Sequence, residues 1–291
     1  MASKAMPQGR IAGECLALAV RELHAAGVEL PVLEAQILLA QALGVGRERL
    51  YLLEDRQLSA AEENAFAALL RERCARRPIA YVRGYQEFYG LAFEVDESVL
   101  VPRPETELLV DFAISQSRLG AAEHVVDAGT GSGCIAAAVA ANTPAVVVGS
   151  DVSRSALRIA ARNLERLGLG RRVCLVQADM LAAMRRHSAD MILSNPPYIA
   201  SDDLWNLQRE ILDHEPAVAL DGGPDGLALH RQVAAGAAQA LIAGGNLAVE
   251  VALGQAEDVV RVHEAAGFRH ERTLRDLAGI DRVVVSRRMG E

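Results

Sequence analysis

Residues 124–143 read HVVDAGTGSGCIAAAVAANT, and this stretch decides the fold. A short apolar strand leads into a glycine loop, and an alanine-rich helix follows from Cys134. Glycines allow a tight turn and let a ligand approach the backbone closely. The loop has G-x-G-x-G spacing with Asp127 directly before it, whereas dinucleotide-binding loops have G-x-G-x-x-G. This spacing suits a ligand that carries an ammonium and a carboxylate next to a ribose better than it suits a pyrophosphate.

Strand and helix patterns alternate on the C-terminal side of this loop. The predicted strands are AVVVGSD, VCLVQAD, ADMILSN and NLAVEV. The predicted helices are SRSALRIAARNLERLG, a short helix after VCLVQAD, GLALHRQVAAGAAQALIAGG and QAEDVVRVHEAAG. This alternation predicts a doubly wound, mostly parallel sheet. The two closing strands, FRHERTL and DRVVVSR, have only the short stretch RDLAGI between them, which requires an antiparallel pair.

The N-terminal part of the chain contains helical patterns and no strand signals. Apolar residues recur at three- and four-residue spacing, and Ser59 and Glu62 have the spacing of a capping box. We therefore expect a helical bundle over residues 1–78. Tyr, Phe and Val are frequent over residues 79–101, which predicts a β-hairpin linker. The α/β domain is expected over residues 102–291.

The composition narrows the possible functions. The chain has 291 residues and a net charge of −8, with a pI of about 5.5, which argues against holding nucleic acid by bulk electrostatics. The four cysteines lie far apart and the seven histidines show no H-x-x-x-H spacing, so we expect neither a disulfide framework nor a metal site. We also expect no signal peptide and no membrane span, which makes the cytoplasm the default location.

Two acidic residues follow the next two strands. Asp151 ends the second strand, where a carboxylate can accept both ribose hydroxyls of an adenosine. Asp179 ends the third strand, where it can accept the adenine amino group, and Met180 beside it can pack on the ring. Either acid alone could be a helix N-cap or a solvated strand end. The ordered set of glycine loop, Asp151 and Asp179 resembles the S-adenosylmethionine site of Rossmann-like methyltransferases.

The fourth strand ends at Asn195-Pro196-Pro197-Tyr198. Proline can simply end a strand, but this position is the ligand crevice of an open α/β sheet. The Asn195 side-chain oxygen and the Pro196 carbonyl can accept both hydrogens of one planar NH₂ and turn its lone pair toward a methyl group. They also stabilise the positive charge that grows on this nitrogen, while Tyr198 can cover the flat face of the substrate. The motif therefore predicts methylation of a planar amine without a strong general base.

N-P-P-Y after a G-x-G-x-G loop resembles the amino-methyltransferases of DNA adenine N6, RNA guanine N2 and protein glutamine. The stretches VPRPETELLV, EPAVALDGGPDGL and DLAGIDRVVVSR, with the helical bundle and the strand-rich linker, resemble the release factor glutamine methyltransferase family over nearly the full length. The resemblance implies a Rossmann-like S-adenosylmethionine-dependent methyltransferase domain and a bundle that recognises the substrate protein. It implies a monomeric cytoplasmic enzyme that methylates N5 of the glutamine in the Gly-Gly-Gln motif of class I peptide chain release factors, supporting translation termination.

The resemblance also implies roles for individual residues. The expected contacts with S-adenosylmethionine are Gly129, Thr130, Gly131, Ser132, Gly133, Asp151, Asp179, Met180 and Asn195. The glutamine would be held by Asn195, Pro196, Pro197 and Tyr198, with Asn195, Pro196 and Tyr198 as the catalytic residues. The residues expected over the methionine end of the cofactor are Arg103, Glu105 and Thr106. No metal, stable nucleic acid partner or membrane is implied.

Three other interpretations stay open. A nucleic-acid amine methyltransferase of the same fold would be supported by a basic N-terminal module, but residues 1–80 carry equal numbers of basic and acidic residues. A non-catalytic S-adenosylmethionine-binding protein would have degraded motifs, and both motifs here are intact. A nicotinamide-dependent dehydrogenase also places glycines after its first strand, but it would leave N-P-P-Y unexplained.

Other notable stretches are expected to be structural. The basic cluster RERCARRP at 71–78 predicts a solvated helix end that complements the helix dipole, and the alternative is a contact with an acidic partner or RNA. Asp213-His214-Glu215 predicts a surface loop, and Trp205 is expected to pack in a mobile loop. Phe88 and Tyr89 could wall the substrate pocket, although aromatics usually pack.

Overall fold

The computed structural model describes residues 9–120 and 122–290. Residues 1–8 of the expected bundle, and residues 121 and 291 of the expected α/β domain, lie outside this description. The described chain divides into two compact units. The first is helical and contains the residues up to Gly84 together with Gln208–His214. The second contains Tyr85–Leu207 and the residues from Glu215 onward.

The secondary structure follows the predicted alternation. The helices are α1 (Ala12–Ala25), α2 (Pro31–Leu43), α3 (Ala60–Cys74), α4 (Ile79–Arg83), α5 (Glu107–Arg118), α6 (Cys134–Asn142), α7 (Arg154–Arg166), α8 (Arg209–His214), α9 (Ala228–Ala240) and α10 (Ala256–Ala265). Short 3₁₀ turns lie at Arg47–Leu52, Pro104–Thr106, Ser201–Asn206 and Ala217–Ala219. The strands are β1 (Tyr85–Phe88), β2 (Leu91–Glu94), β3 (His124–Ala128), β4 (Val146–Asp151), β5 (Val173–Gln177), β6 (Ala189–Ser194), β7 (Leu241–Glu250), β8 (Phe268–Arg275) and β9 (Asp281–Arg288).

The helical unit packs α1 to α4 around one apolar core, and α8 joins it through the ion pairs of Glu210. Leu23, Leu38 and Phe66 are fully buried there, one each from α1, α2 and α3. The predicted capping box is confirmed at the start of α3, where the Glu62 amide donates to the Ser59 hydroxyl and the Ser59 amide donates to the Glu62 carboxylate. This box satisfies two backbone donors that the first turn of a helix leaves without partners.

The basic end of α3 is not the solvated helix end that the sequence suggested. Arg73 is only 4% exposed, and its guanidinium contacts the carboxylates of Glu34 and Glu210. Arg76 also binds Glu210, at 2.5 Å. The prediction is wrong for Arg73 because its partners come from α2 and α8, and local sequence does not reveal such distant pairings.

The expected hairpin linker begins later than predicted. Residues 79–83 form the short helix α4 rather than a strand, and α4 ends at Gly84 in a left-handed conformation. The hairpin itself pairs β1 with β2 in antiparallel register, with Phe88 opposite Leu91. The sequence misassigned α4 because its aromatic and β-branched residues favour strands in isolation, while burial of Tyr81 and Val82 overrides that preference.

The second unit is the predicted α/β sheet. Its seven strands have the order β5-β4-β3-β6-β7-β9-β8. The pairs from β5 to β7 are parallel, and β9 runs antiparallel to both β7 and β8. The closing antiparallel pair is therefore confirmed. Alternating residues of β3 face opposite sides, since Val125 packs with α5 and α6 while Val126 packs with α9.

Two element predictions in this unit are wrong. Turns rather than a short helix follow Asp179. The helix expected to continue to Gly245 ends at Ala240, and β7 begins at once with Leu241. The pairing of β6 with β7 then jumps from Leu241 to Asn246, so a bulge accommodates the glycine-rich residues between them. Among the described residues, no helix is long and apolar enough to cross a membrane.

We expect Arg73→Ala to destabilise the protein by about 3 kcal/mol, because the substitution removes a buried cation, leaves the half-buried Glu34 carboxylate without it and leaves Glu210 with Arg76 alone. Urea unfolding of the full chain would measure this change. Arg71→Ala is the matched control, since Arg71 is exposed on the same helix and should change stability by less than about 0.5 kcal/mol. Equal losses in the two variants would contradict a structural role for the buried ion pairs.

Candidate functional site

The site lies at the topological switch point of the sheet, where successive strands stop adding on one side of β3 and begin to add on the other. The chain adds β4 and β5 on one side of β3 and then returns to place β6 on the other side. Such a switch point opens a crevice at the carboxyl ends of the strands. Ala128 pairs with Ser194 across β3 and β6, and the Ser194 hydroxyl donates to the Ala128 carbonyl at 2.7 Å. Gly129 and Asn195 therefore leave neighbouring strands side by side.

The glycine loop has the backbone that only glycine adopts easily. Gly129, Gly131 and Gly133 have φ values of 78°, 54° and 80°. The Gly129 amide donates to the Ser150 carbonyl of β4 at 2.9 Å, which fixes the loop against the next strand. A Cβ added at Gly133 would lie 3.2 Å from the Ala160 Cβ, so Gly133 lets α6 pack closely on α7. Gly133 is absent from the pocket lining and has a packing role instead.

The side chain of Asp127 holds this loop in place through two hydrogen bonds. It is fully buried, and its Oδ2 accepts hydrogen bonds from the Thr130 hydroxyl at 2.6 Å and the Ala136 amide at 3.1 Å. Burial raises the pKa of Asp127 to about 7. Its Oδ1 is buried with no hydrogen-bond partner among the described residues. Asp127 Oδ1, in the residue that supports the loop, is therefore a buried acceptor without a donor in the described part of the chain.

Asp151 lies at the end of β4 with its carboxylate held by two backbone donors. The Gly131 amide donates to Oδ2 at 2.9 Å, and the Ser153 amide donates to Oδ1 at 2.8 Å. Burial raises the pKa of Asp151. Each oxygen retains a lone pair, so the carboxylate can accept a pair of hydroxyls from a ligand. If Asp151 carried an amide nitrogen in place of one oxygen, one of these two backbone amides would face a donor.

A pocket opens at this edge of the sheet. The predicted residues that line it are Gly129, Thr130, Gly131, Ser132, Asp151, Asp179, Met180, Asn195 and Pro197. Arg103 and Thr106 also line the pocket, whereas Glu105 does not. Pro196 and Tyr198 lie outside this lining as well. The structure thus gathers most of the expected cofactor contacts into one crevice and separates them from part of the expected substrate cup.

Met180 occupies an unusual backbone position in this pocket. Its φ is 46°, in the left-handed region that few non-glycine residues adopt, and its carbonyl accepts from the Ser150 hydroxyl at 2.7 Å. The strained turn aims the thioether toward Gly129, about 3.9 Å from the place where a Cβ would stand. Asp179 is exposed at the edge of the pocket, where its carboxylate is open to a ligand.

Asn195 is oriented by two further side chains. Its Nδ2 donates to the Thr106 hydroxyl oxygen at 3.1 Å, and that hydroxyl donates to Oε2 of Glu250 at 2.6 Å. Thr106 and Glu250 are 2% and 3% exposed. Burial raises the pKa of Glu250 to about 7. Because one N–H of Nδ2 donates to Thr106, the direction of the amide is fixed and Oδ1 is the acceptor that Asn195 offers to a ligand.

The backbone after Asn195 is supported from the segment EPAVALDGGPDGL. The Gly222 amide donates to the Ile199 carbonyl at 2.8 Å, and a Cβ added at Gly226 would lie 2.5 Å from the Tyr198 carbonyl oxygen. Gln255 Nε2 donates to the carbonyls of Tyr198, at 3.3 Å, and Gly226, at 3.0 Å. This close backbone packing explains why glycines follow the N-P-P-Y motif.

Sequence reasoning missed two acids beside the pocket. Glu250 carries a recognisable signal, because it follows the apolar residues Leu247–Val249 at the edge where Asp151 ends another strand. Glu215 carries no such signal. The sequence suggested a surface loop, but Glu215 is 6% exposed and accepts from the Arg103 guanidinium at 2.5 Å, so that prediction is wrong. Burial raises the pKa of the Glu215 carboxyl.

The aromatic residues have simpler positions. Phe88 is 2% exposed and packs edge-on against Phe93, and the Tyr89 hydroxyl donates to Asp111 at 2.7 Å. Neither Phe88 nor Tyr89 lines the pocket. Trp205 is 78% exposed, so the expectation that it packs is wrong. In the part of the chain that the structure describes, no group of three or more His, Cys, Asp or Glu residues could hold a metal ion.

Comparison with known proteins identifies the family. A family model described as PrmC N-terminal domain matches residues 14–84, and one described as Methyltransferase small domain matches residues 104–224. The release factor glutamine methyltransferase of Geobacter sulfurreducens is 44% identical over 262 residues, covering 90% of this chain and 91% of that protein. The enzyme of the same name from Moorella thermoacetica is 40% identical over 280 residues, covering 96% and 99%.

Solved structures support the fold. A methyltransferase from Pyrococcus furiosus superposes with a TM-score of 0.52 at 17% identity, covering 77% of this chain and 98% of that one. The predicted fold class, a mostly parallel methyltransferase sheet with an N-terminal helical part, is confirmed. S-adenosylmethionine is accordingly the methyl donor.

We expect Asp151→Asn to weaken binding of S-adenosylhomocysteine about tenfold or more, because an amide nitrogen at this position would face one of two backbone donors. Isothermal titration calorimetry would measure the Kd. Asp190→Asn is the control, because its carboxylate also accepts two backbone amides but lies outside the pocket lining. Unchanged affinity in Asp151→Asn would contradict a role for Asp151 in holding the cofactor.

Proposed function

The chain belongs to the release factor glutamine methyltransferase family, and we propose that it methylates N5, the side-chain amide nitrogen, of the glutamine in the Gly-Gly-Gln motif of class I peptide chain release factors. The observation that carries this proposal is the orientation of Asn195. Its amide oxygen is free at the edge of the glycine-loop pocket, because its amide nitrogen is bound to Thr106. A free oxygen in a fixed direction is what a planar NH₂ donor requires.

S-adenosylmethionine fits the pocket by its chemistry. The open backbone of Gly129 and Gly131 leaves room for the amino-acid end of the molecule. The Asp151 carboxylate would accept the two ribose hydroxyls, Asp179 would accept the adenine amino group, and Met180 would pack on the adenine ring. The bound cofactor supplies a methyl group on a positively charged sulfur.

The chain's own residues make a poor nucleophile reactive. The lone pair of an amide nitrogen is delocalised, so the nitrogen attacks a methyl group only when it is held in the correct direction. Asn195 Oδ1 and the Pro196 carbonyl would accept its two hydrogens and stabilise the positive charge that develops. Pro196 and Pro197 fix φ, so the acceptors need no rearrangement during the reaction. Tyr198 would cover the flat face of the glutamine amide.

No general base is required at this site. The nitrogen becomes strongly acidic once it carries the methyl group, and it loses its proton readily to a neighbouring acceptor. No histidine lines the pocket among the described residues. This feature supports a mechanism that depends on orientation and electrostatics.

The remaining parts of the proposal concern the partner. We propose that the helical unit recognises the release factor, and that the enzyme acts as a monomer in the cytoplasm without holding nucleic acid. The net charge of −8 supports the last point, because nucleic-acid binding depends on neutralising phosphates. The alternative substrate is an exocyclic amine of a nucleic-acid base, which the N-P-P-Y cup could also hold.

One labelling experiment tests the substrate. The protein is incubated with tritiated S-adenosylmethionine and a class I release factor, the same factor with its Gly-Gly-Gln glutamine replaced by alanine, duplex DNA or ribosomal RNA. We expect label only in the unmodified release factor. Label in nucleic acid and none in the release factor would overturn the proposal, and label that survives the replacement would move the target to another residue.

We expect Asn195→Ala to lower kcat roughly 100-fold or more, since it removes an acceptor that acts on the developing charge. Cofactor affinity should stay within about tenfold, because most of the pocket remains. Single-turnover methylation and calorimetry would measure the two effects. Asn142→Ala is the control, as Asn142 is exposed at the end of α6. Normal turnover in Asn195→Ala would contradict the proposed cup.

A further inference from the structure

Three side chains from distant parts of the sequence form one hydrogen-bonded line. Glu250 comes from the end of β7, Thr106 from the 3₁₀ turn before α5, and Asn195 from the end of β6. The Thr106 hydroxyl is 2.6 Å from Glu250 Oε2 and 3.1 Å from Asn195 Nδ2. The Thr106 and Glu250 side chains are buried, so water does not compete for these contacts.

The hydrogen bonds of this line all run from donor to acceptor in one direction, toward Glu250, and Glu250 determines that direction. An ionised carboxylate only accepts hydrogen bonds, and a hydroxyl has a single hydrogen to donate. The Thr106 hydrogen therefore goes to Glu250, and the Thr106 oxygen is left as an acceptor. Only the NH₂ side of the Asn195 amide can satisfy that acceptor, so Oδ1 must point the other way.

We propose that Glu250 is a positioning residue that acts through Thr106 to hold the Asn195 amide oxygen toward the substrate NH₂. Its effect is needed because the two ends of an amide are nearly identical in shape and differ only in donating or accepting. A flipped Asn195 would present NH₂ to the substrate NH₂, and two donors would repel. The mechanistic meaning of this inference rests on the proposed function.

The line is expected to respond to pH. The ionisable groups that act on Glu250 are Glu105 and Arg103 near Thr106, Tyr198 after β6, and Arg282 on β9. Burial has the largest effect and raises the pKa of Glu250 to about 7. Below that pH the carboxyl is protonated and can donate to Thr106. The Thr106 hydrogen is then free to bond Asn195 Oδ1, which allows the flipped amide, so the correct orientation is lost as pH falls through about 7.

The first test follows the amide itself and needs no turnover. The side-chain NH₂ resonance of Asn195 is assigned in ¹⁵N spectra of the full-length wild-type protein by its loss in Asn195→Asp. We expect this resonance to titrate with an apparent pKa near 7, and to be insensitive to pH in Glu250→Gln. A wild-type resonance that does not change between pH 5.5 and 8.5 would overturn the proposal, even if Glu250→Gln fails to fold.

The second test separates positioning from packing. We expect Glu250→Gln and Thr106→Val to lower kcat about 10- to 100-fold while the KM for S-adenosylmethionine changes less than about threefold, because only the direction of the amide is lost. Thr106→Ser keeps the hydroxyl and should restore kcat to within about threefold of wild type. Glu257→Gln is the charge control, as Glu257 is exposed on α10.

The two proposals fail in different ways. Wild-type enzyme that labels no release factor would contradict the proposed function, while the titration of Asn195 would still test the hydrogen-bonded line. If the wild-type enzyme is active, the positioning role would be contradicted by a full kcat in Glu250→Gln or by a Thr106→Ser variant as impaired as Thr106→Val. Either result would leave the proposed function standing.

Discussion

The parallel pairing of β3 with β6 is the constraint on which the site depends. It places Ala128 opposite Ser194, and the Ser194 hydroxyl locks this register by donating to the Ala128 carbonyl. The glycine loop and the N-P-P-Y motif thus start at one level of the sheet, although they are far apart in sequence. A slip of one residue would turn Asn195 to the opposite face and separate it from the glycine loop.

Features encoded by short stretches of sequence were predictable. The glycine loop, the capping box at Ser59 and the strand that ends at Asn195 each combine a local backbone requirement with a residue type that meets it. Because parallel strands bring their carboxyl ends to one edge, the order of these motifs also predicted the crevice. Periodicity failed where tertiary packing overrides local preference, as at Ile79–Arg83 and at the start of β7.

The missed residues share a physical cause. The buried carboxylates of Glu215 and Glu250 are explained by partners, Arg103 and Thr106, that lie more than a hundred residues earlier in the chain. Arg73 likewise has a partner 137 residues away. A charged residue in a sequence is expected to be solvated unless its partner is visible. Polar groups whose partners lie far away in the sequence therefore cannot be predicted from short stretches of sequence.

The buried acid at Glu250 has a physical rationale despite its cost. Burial of a carboxylate is unfavourable, and a glutamine of the same shape would be cheaper to bury. Glutamine can both donate and accept, however, so it would allow the line through Thr106 to run in either direction. An ionised carboxylate allows only one. The proposed mechanism depends on holding the substrate NH₂ in one direction, and a carboxylate at Glu250 supplies that single direction whereas a glutamine does not. The unfavourable burial and the expected sensitivity to pH then follow from the same requirement.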